Sequence, residues 1–320
     1  MTIEARAHGR VNLIGDHTDY SGGFVLPMTI DPFTAITGDF VVDGSWDLVS
    51  DHDPGHLRLE SPIDDPSSIL PEWGRYVAGV VAEIVATGRR VRGFHGRVTS
   101  NLPIGSGLSS SAALEVAVAR IATIDEGIDP LELAEICRRA EHRASGVPCG
   151  IMDQLCIAGG EPNRPVLIDC TTLAIEHVAL PPGARITYEF ITPRRLAGSE
   201  YTTRVSEARR AADLIGPLRE ADITTVESIS DPIIRRRARH IVSENRRVLD
   251  FVAAMRAGDL STMGQLMIES HRSMQFDYET STEIMDAAVA RTLREPGVLG
   301  SRLTGGGFGG CVVTLRRDDV

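Results

Sequence analysis

The pattern of apolar and polar positions divides the first half of the chain into strands followed by helices. Between residues 3 and 60, the stretches EARAHGRVNLI and FTAITGDFVV alternate or run apolar, and Gly, Asp and Pro separate them. This pattern predicts short strands joined by turns. Apolar residues recur at helical spacing over 72–87, and GFHGRVTS is typical of a strand. Pro130, at a first-turn position, predicts a helix over 130–144.

The second half is predicted to be mainly helical. PVLIDC (165–170) and ARITYEFI (184–191) are typical of strands, separated by the turn LPPGA. Helical patterns then continue to about residue 294, and GVLGSRLTGGGFGGCVVTL predicts a strand, a glycine loop and a strand. We interpret the arginine-rich RRRAR at 235–239 as a solvated helix face. A boundary near residue 180 divides the chain into two predicted domains, 1–180 and 181–320.

Composition excludes several classes of protein. The 320 residues are 42% hydrophobic with a mean hydropathy of −0.04, and no apolar run approaches the ~20 residues of a membrane-spanning helix. The opening MTIEARAHGR lacks the apolar core of a secretory signal, so we expect a cytoplasmic protein. The net charge of −11 argues against nucleic acid or a membrane surface as partner. Five cysteines without a CxxC pair indicate reduced thiols rather than a zinc site or disulfides.

The chain contains no lysine, since all 33 basic residues are arginine. This excludes the lysine of the GxxxxGK[ST] phosphate loop, the ATP-contacting lysine of protein kinases and any Schiff-base lysine. If the protein binds nucleotide phosphates, it must do so by another device.

The stretch LPIGSGLSSSAALEVAVARI (102–121) offers such a device. Gly105 and Gly107 allow positive φ and close approach of a ligand to the backbone. Three serines then begin a helix whose buried stripe is Leu114, Val118 and Ile121. A helix N-terminus presents unpaired amides and a positive dipole end, so the stretch can bind an anion. Alternatively, the serines only cap a helix and the glycines only turn a loop.

Three other segments accompany this stretch. GRVNLIGDHTDYSGG (9–23) gathers arginine, aspartates and histidine, CGIMDQ (149–154) adds an aspartate, and TGGGFGG (304–310) adds a second glycine loop. With GLSSSAA, they resemble the motifs of the GHMP kinases, and among these the galactokinases. LAGSEY (196–201) and SHRSMQFDYETS (270–281) also resemble galactokinase segments. The similarity extends over nearly the whole chain, in the right order.

The resemblance implies an α+β fold of two domains, an N-terminal ribosomal-protein-S5-domain-2-like domain and a C-terminal ferredoxin-like domain. It implies ATP-dependent phosphorylation of the anomeric hydroxyl of D-galactose, with ATP and Mg²⁺ as cofactors. The sequence does not reveal the oligomeric state, and we favour a monomer. It also implies an ATP loop formed by Gly105, Ser106, Gly107, Leu108, Ser109, Ser110, Ser111 and Ala112.

The same resemblance assigns the chemistry. Asp153 is the expected base, taking the hydroxyl proton late in the transfer, and Arg10 keeps that carboxylate ionised and stabilises phosphoryl charge. Ser110 and Glu141 match the metal-ligand positions. The sugar-contact positions are Asp16, His17, Asp19, Gly150 and Tyr201.

The chain departs from the family pattern at two residues. Galactokinases commonly carry glutamate where this chain has Asp16, in the part of the pocket that faces the C6 end of the sugar, so the sugar stays open. They also usually carry a histidine where this chain has Arg195. The family also continues through another helix and strand after CVVTLRRDD, so we expect an uncovered apolar face on the C-terminal sheet. Three alternatives stay open: a kinase for N-acetylgalactosamine, a kinase for L-arabinose, or a non-catalytic galactose and ATP sensor. A dehydrogenase is disfavoured because neither glycine loop follows a strand with the required spacing and a distal ribose-binding acid.

Overall fold

A computed structural model describes residues 2–103, 105–194 and 200–318. The strands are β1 (Ile3–Asn12), β2 (Phe24–Val25), β3 (Pro27–Val41), β4 (Trp46–Ser50), β5 (His56–Leu59), β6 (Gly93–Ser100), β7 (Val166–Asp169), β8 (Ile175–His177), β9 (Ala184–Thr192), β10 (Val298–Thr304) and β11 (Gly310–Arg317). The helices are α1 (Gly74–Ala86), α2 (Ser110–Ala122), α3 (Pro130–Ser145), α4 (Met152–Gly159), α5 (Glu200–Ile215), α6 (Ile223–Glu227), α7 (Pro232–Ala257), α8 (Leu260–Phe276) and α9 (Glu283–Thr292).

Two of the longest helices begin and end on local sequence signals. Both α3 and α7 start with an Asp–Pro pair, in which the aspartate side chain accepts a first-turn amide and proline occupies the first turn. Both end at a glycine in the left-handed region, with φ of 69° at Gly146 and 70° at Gly258. The predicted helices over 72–87 and 130–144, and the predicted strand GFHGRVTS, are confirmed.

The chain forms two compact units, and the first consists of Met1–Arg10, Ile30–Pro103 and Ser109–Gly159. Its five-stranded sheet has the order β1-β3-β6-β4-β5, in which β4 and β6 are parallel. Helices α1 and α3 pack closely because Gly79 lacks a side chain. A Cβ there would lie 2.8 Å from the carbonyl oxygen of Ala140.

The second unit consists of Val11–Thr29, Ile104–Leu108 and Gly160–Val320. It contains two three-stranded sheets, β10-β11-β9 and β2-β7-β8, together with α5 to α9. β11 is the central strand of the first sheet and is almost wholly buried, whereas β9 exposes Tyr188 and Phe190. The units are groups of packed residues, and the domain division near residue 180 stays a prediction.

Two details of the sequence prediction were wrong. A third short strand, β8, lies between the predicted strands β7 and β9, where only a turn was expected. The segment 235–239 is only partly solvated, since Arg235, Arg236 and Arg239 are half-buried. Arg237 is buried and its guanidinium pairs with Glu207 and Glu279, because α7 packs against neighbouring helices on this side as well.

None of the five cysteines, all of which the structure describes, is in a disulfide bond; three of them are buried and two are half-buried. Within the described ranges, no helix is both long enough and apolar enough to cross a lipid bilayer.

Candidate active site

The first unit places Arg10 and Asp153 in direct contact. Arg10 lies near the end of β1 and is 2% exposed, while Asp153 is in the first turn of α4. Arg10 Nε donates to Asp153 Oδ1 at 2.7 Å, and Arg10 Nη2 donates to Oδ2 at 2.7 Å. This two-point pairing fixes the plane of the carboxylate. The two residues are 143 positions apart in the chain, and the structure brings them together as the resemblance predicts.

Ser109 makes a third contact to the same carboxylate. It occupies the N-cap position of α2 with φ of 62°, and its hydroxyl donates to Asp153 Oδ2 at 2.5 Å. The resemblance assigned Ser109 to the ATP loop and gave no sign of this contact.

The glycine–serine loop has the backbone that its composition predicts. Gly105 and Gly107 have φ of 69° and 76°, in the left-handed region that glycine adopts at little cost. The carbonyl of Gly105 accepts a hydrogen bond from the Arg194 amide at 2.9 Å. α2 then begins at Ser110, and Ala112 is buried. The predicted ATP-loop residues therefore form one continuous segment, the loop and the first turn of α2: Gly105, Ser106, Gly107, Leu108, Ser109, Ser110, Ser111 and Ala112.

Arg194 is a cation that the sequence reasoning missed. A Cβ added at Gly306 would lie 3.0 Å from Arg194 Nη1, and one added at Gly107 would lie 3.8 Å from its guanidinium carbon. The side chain therefore lies beside both glycine loops of the second unit. The sequence signal that could have indicated Arg194 is TPRRL, which directly follows a strand. Arg195, the other arginine of this segment, lies outside the described residues.

Glu141, on α3, is held by two donors. Ser111 Oγ donates to its Oε1 at 3.1 Å, and Gln154 Nε2 donates to its Oε2 at 2.7 Å. Gln154 also donates to Glu115 at 3.1 Å, and burial raises the pKa of Glu115 well above its usual range. Glu115 and Gln154 were not singled out from the sequence, because a buried glutamate looks like any other polar residue of a helix.

The metal-ligand prediction names Ser110 and Glu141. The hydroxyl that contacts Glu141 here is that of Ser111, while Ser110 is the first residue of α2. A carboxylate and a serine hydroxyl are hard oxygen donors, and Mg²⁺ commonly takes one or two protein oxygens with several waters. The residues present therefore fit this ion.

In the second unit, Asp16 is buried in a polar network. Its Oδ1 accepts from Asn12 Nδ2 at 3.0 Å and from the Gly305 amide at 2.9 Å. Its Oδ2 lies 2.5 Å from Nη2 of Arg302, whose side chain is fully buried. The network joins the sequence motif at 9–23 to the glycine loop at 304–310.

His17 lies in an aromatic cluster with Tyr20, Tyr201 and Tyr278. Its Nδ1 lies 2.9 Å from the Tyr20 hydroxyl, and its ring centroid is 5.6 Å from that of Tyr201 and 4.7 Å from that of Tyr278. The structure thus brings together two predicted sugar-contact residues, His17 and Tyr201. The Nε2 atom of His17 is buried without a hydrogen-bond partner among the described residues. Burial lowers the pKa of His17 well below its usual range, so the ring is neutral.

The remaining two sugar-contact predictions lie at turns. Asp19 begins a single 3-10 turn, Asp19–Ser21, in the second unit. Gly150, in the first unit, lies half-buried in the loop that leads into α4.

Comparison with known families gives three matches along the chain. The galactokinase galactose-binding signature matches residues 2–39, the N-terminal domain of GHMP kinases matches residues 75–161, and their C-terminal domain matches residues 251–319. The three matches contain Arg10 and Asp16, then Glu141 and Asp153, then Arg302.

Curated relatives and one solved structure are similar over almost the full length. Human galactokinase is 41% identical over 98% of this chain and 83% of its own length. Galactokinase of Chloroflexus aurantiacus is 41% identical over 97% of this chain and 83% of its own. The crystal structure of Lactococcus lactis galactokinase complexed with galactose superimposes with a TM-score of 0.94 at 33% identity, covering 99% of this chain and 86% of that one.

Proposed function

Because the chain belongs to the galactokinase family of GHMP kinases and is therefore a sugar kinase with the GHMP fold, we propose that it phosphorylates the anomeric hydroxyl of D-galactose with ATP. The products are α-D-galactose 1-phosphate and ADP. The proposal extends to this chain the activity in the names of its relatives, and it assigns roles to particular side chains.

In the proposed reaction, the sugar oxygen forms a bond to the γ-phosphorus as the bond between that phosphorus and the β-phosphate oxygen breaks. The hydroxyl proton passes to Asp153, and ADP leaves with the electron pair of the broken bond. Phosphoryl transfer has a loose transition state, so alignment and charge neutralisation contribute more than covalent help. Asp153 takes the proton late, after the attacking oxygen has become acidic.

The Arg10–Asp153 pair is the observation that supports this assignment. Its two 2.7 Å contacts orient the carboxylate beside a positive charge. The guanidinium also places positive charge where the transferring phosphoryl group needs it. Arg10 cannot itself act as the base, because a guanidinium does not lose its proton in proteins.

The glycine–serine loop is proposed to bind the ATP phosphates without lysine. Its positive-φ residues and the α2 N-terminus provide backbone amides and a favourable dipole. Arg194 adds a positive charge beside Gly107. Ser110 and Glu141 would hold Mg²⁺, which supplies charge neutralisation on the phosphate oxygens.

The sugar contacts are proposed to be Asp16, His17, Asp19, Gly150 and Tyr201. The neutral His17 ring can donate or accept at its buried Nε2, as a sugar hydroxyl requires. A site that hydrogen-bonds particular hydroxyls strongly rejects analogues that lack them. Asp16, where the family commonly has glutamate, keeps a kinase for N-acetylgalactosamine or L-arabinose as the second candidate.

Replacing the base tests the central assignment. Asp153→Asn keeps the size of the side chain but removes its ability to take the proton, so turnover should fall at least ~10²-fold. Galactose binding, measured by calorimetry, should stay within about threefold of the parent. Turnover is measured by coupling ADP release to a chromogenic reaction.

Asp125→Asn is the matched control, because that carboxylate lies on the surface in an exposed pair with Arg92. It should retain full turnover. An Asp153→Asn enzyme as active as the parent would refute the base assignment. A panel of ten sugars at fixed ATP tests the substrate, and a preference of tenfold or more for another sugar would overturn the choice of galactose.

A further inference from the structure

Ser109 has an unusual conformation for the first position of a helix. A serine at this position ordinarily has an extended backbone, and its hydroxyl accepts a hydrogen bond from a first-turn amide. Ser109 instead has φ of 62°, in the region that favours glycine, and its side chain makes no capping hydrogen bond. The residue is 4% exposed, and its hydroxyl is directed to Asp153.

The donors around Asp153 are unequally shared between its two oxygens. A carboxylate offers about four acceptor positions, two on each oxygen. Oδ2 accepts from Arg10 Nη2 and from Ser109 Oγ, so both of its positions are used. Oδ1 accepts only from Arg10 Nε within the described part of the chain. One acceptor position is therefore left, and it is on Oδ1.

Resting on the proposed role of Asp153 as base, we propose that Ser109 is a positioning residue that fixes the Asp153 carboxylate and makes Oδ1 the oxygen that receives the sugar proton. Arg10 makes two parallel contacts to the carboxylate, both from one side chain. The third donor, at 2.5 Å, comes from a different element, the start of α2, and resists rotation of the carboxylate about its Cβ–Cγ bond. The proton then passes to one defined atom.

The backbone conformation supports this role. Glycine would adopt φ of 62° without steric cost, and the neighbouring positive-φ residues of the loop, Gly105 and Gly107, are glycines. Ser109 differs from them only in carrying a hydroxymethyl group. A strained residue of this kind persists where the surrounding contacts hold it, which here include the hydrogen bond to Asp153.

Two variants separate the hydroxyl from the backbone. Ser109→Gly removes the hydroxyl and relieves the left-handed strain, whereas Ser109→Ala removes the hydroxyl and keeps the strain. We expect kcat to fall at least ~10-fold in both, because a hydrogen bond to a charged, oriented group is lost. KM for galactose and the Kd for nucleotide should stay within about twofold. The melting temperature of Ser109→Gly should stay within about 2 °C of the parent.

Thr123→Val is the matched control. Thr123 is at the other end of α2, is equally buried, and its hydroxyl donates to the Ala119 carbonyl at 2.8 Å. This variant also deletes a buried hydroxyl from the same helix, but it should leave kcat unchanged.

A double variant tests whether Ser109 acts through Asp153. In a single-turnover assay, Ser109→Gly added to Asp153→Asn should cause less than about a twofold further loss, since the two residues act as a unit. Losses that multiply would overturn the proposal, as would a Ser109→Gly enzyme with parental kcat, or one in which only the nucleotide Kd rises. These failures differ from failure of the proposed function, in which Asp153→Asn itself remains active.

Discussion

At the scale of single residues, Asp16 stands where the resemblance leads us to expect a glutamate. Its carboxylate accepts hydrogen bonds from Asn12 and the Gly305 amide, and it forms an ion pair with the buried Arg302. Removing one partner of a buried, hydrogen-bonded charge pair is strongly destabilising, because the other charge is left uncompensated. The side chain is therefore part of the scaffold as well as a predicted sugar contact.

Asp16→Glu should change the sugar preference more than the affinity for ATP. The extra methylene moves the carboxylate away from its present partners and towards the region that the resemblance assigns to the C6 end of the sugar. We expect the ratio of kcat/KM for galactose to that for 6-deoxygalactose to change at least ~5-fold, at an unchanged KM for ATP.

The matched control is Asp47→Glu, a half-exposed carboxylate on β4 in the first unit, which should alter neither the kcat/KM ratio nor the KM for ATP. An Asp16→Glu enzyme with the parental sugar preference would contradict the assignment of Asp16 to the sugar site.

At the scale of elements, helix α8 packs on strand β10 through two glycines. A Cβ on Gly264 would lie 2.2 Å from the Leu299 carbonyl oxygen, and a Cβ on Gly300 would lie 2.4 Å from the Gly264 carbonyl oxygen. Both clashes are with backbone atoms, which cannot move without separating the helix from the strand. The absence of two side chains therefore sets the distance between these elements.

Gly264→Ala should consequently destabilise the protein, although alanine is the better helix former by about 1 kcal/mol. We expect the free energy of unfolding, from urea denaturation, to fall by about 2 kcal/mol through overpacking. Gln265→Ala, at the next and exposed position of α8, should change it by less than about 0.5 kcal/mol. A Gly264→Ala protein as stable as the parent would show that α8 and β10 can separate freely.

At the scale of the whole molecule, buried titratable groups make stability depend on pH. Burial lowers the pKa of His240 to about 4 and that of His271 to about 4, from a usual value of 6.5. Glu244, one helical turn from His240, partly offsets this effect, whereas Arg302 adds to it for both histidines. In the unfolded chain, both histidines bind protons near pH 6.5, so the unfolded state takes up more protons than the folded state between about pH 4 and 6.5.

The free energy of unfolding should therefore fall as the pH drops from 6.5 towards 4, by up to about 1.4 kcal/mol per pH unit for each histidine. The attraction of Arg247 and Arg302 lowers the pKa of Glu244 to about 2 and extends the loss below pH 4.5. Urea denaturation between pH 7.5 and 4.5 measures the slope. His240→Gln should reduce it and the exposed His95→Gln should not; a slope of zero over this range would contradict neutral buried histidines.

Much of the fold could be predicted from local sequence. The Asp–Pro starts and glycine ends of α3 and α7 are local, because the capping groups lie within a few residues of the backbone groups they satisfy. The strand–loop–strand at 298–317 is likewise local. Strand β8 was missed because it is only three residues long and mostly exposed, so it has no apolar pattern long enough to predict a strand.

The sequence by itself determined the glycine–serine loop, the absence of lysine and the family motifs, since each is a property of neighbouring residues. Only the tertiary structure decided which distant groups meet. Arg10 and Ser109 share the Asp153 carboxylate, Arg302 is buried against Asp16, and Arg237 lies inside a segment that looked solvated. The reason is physical: a charged side chain has the same sequence signature on the surface and in the interior, and the partner that makes its burial tolerable lies far away along the chain.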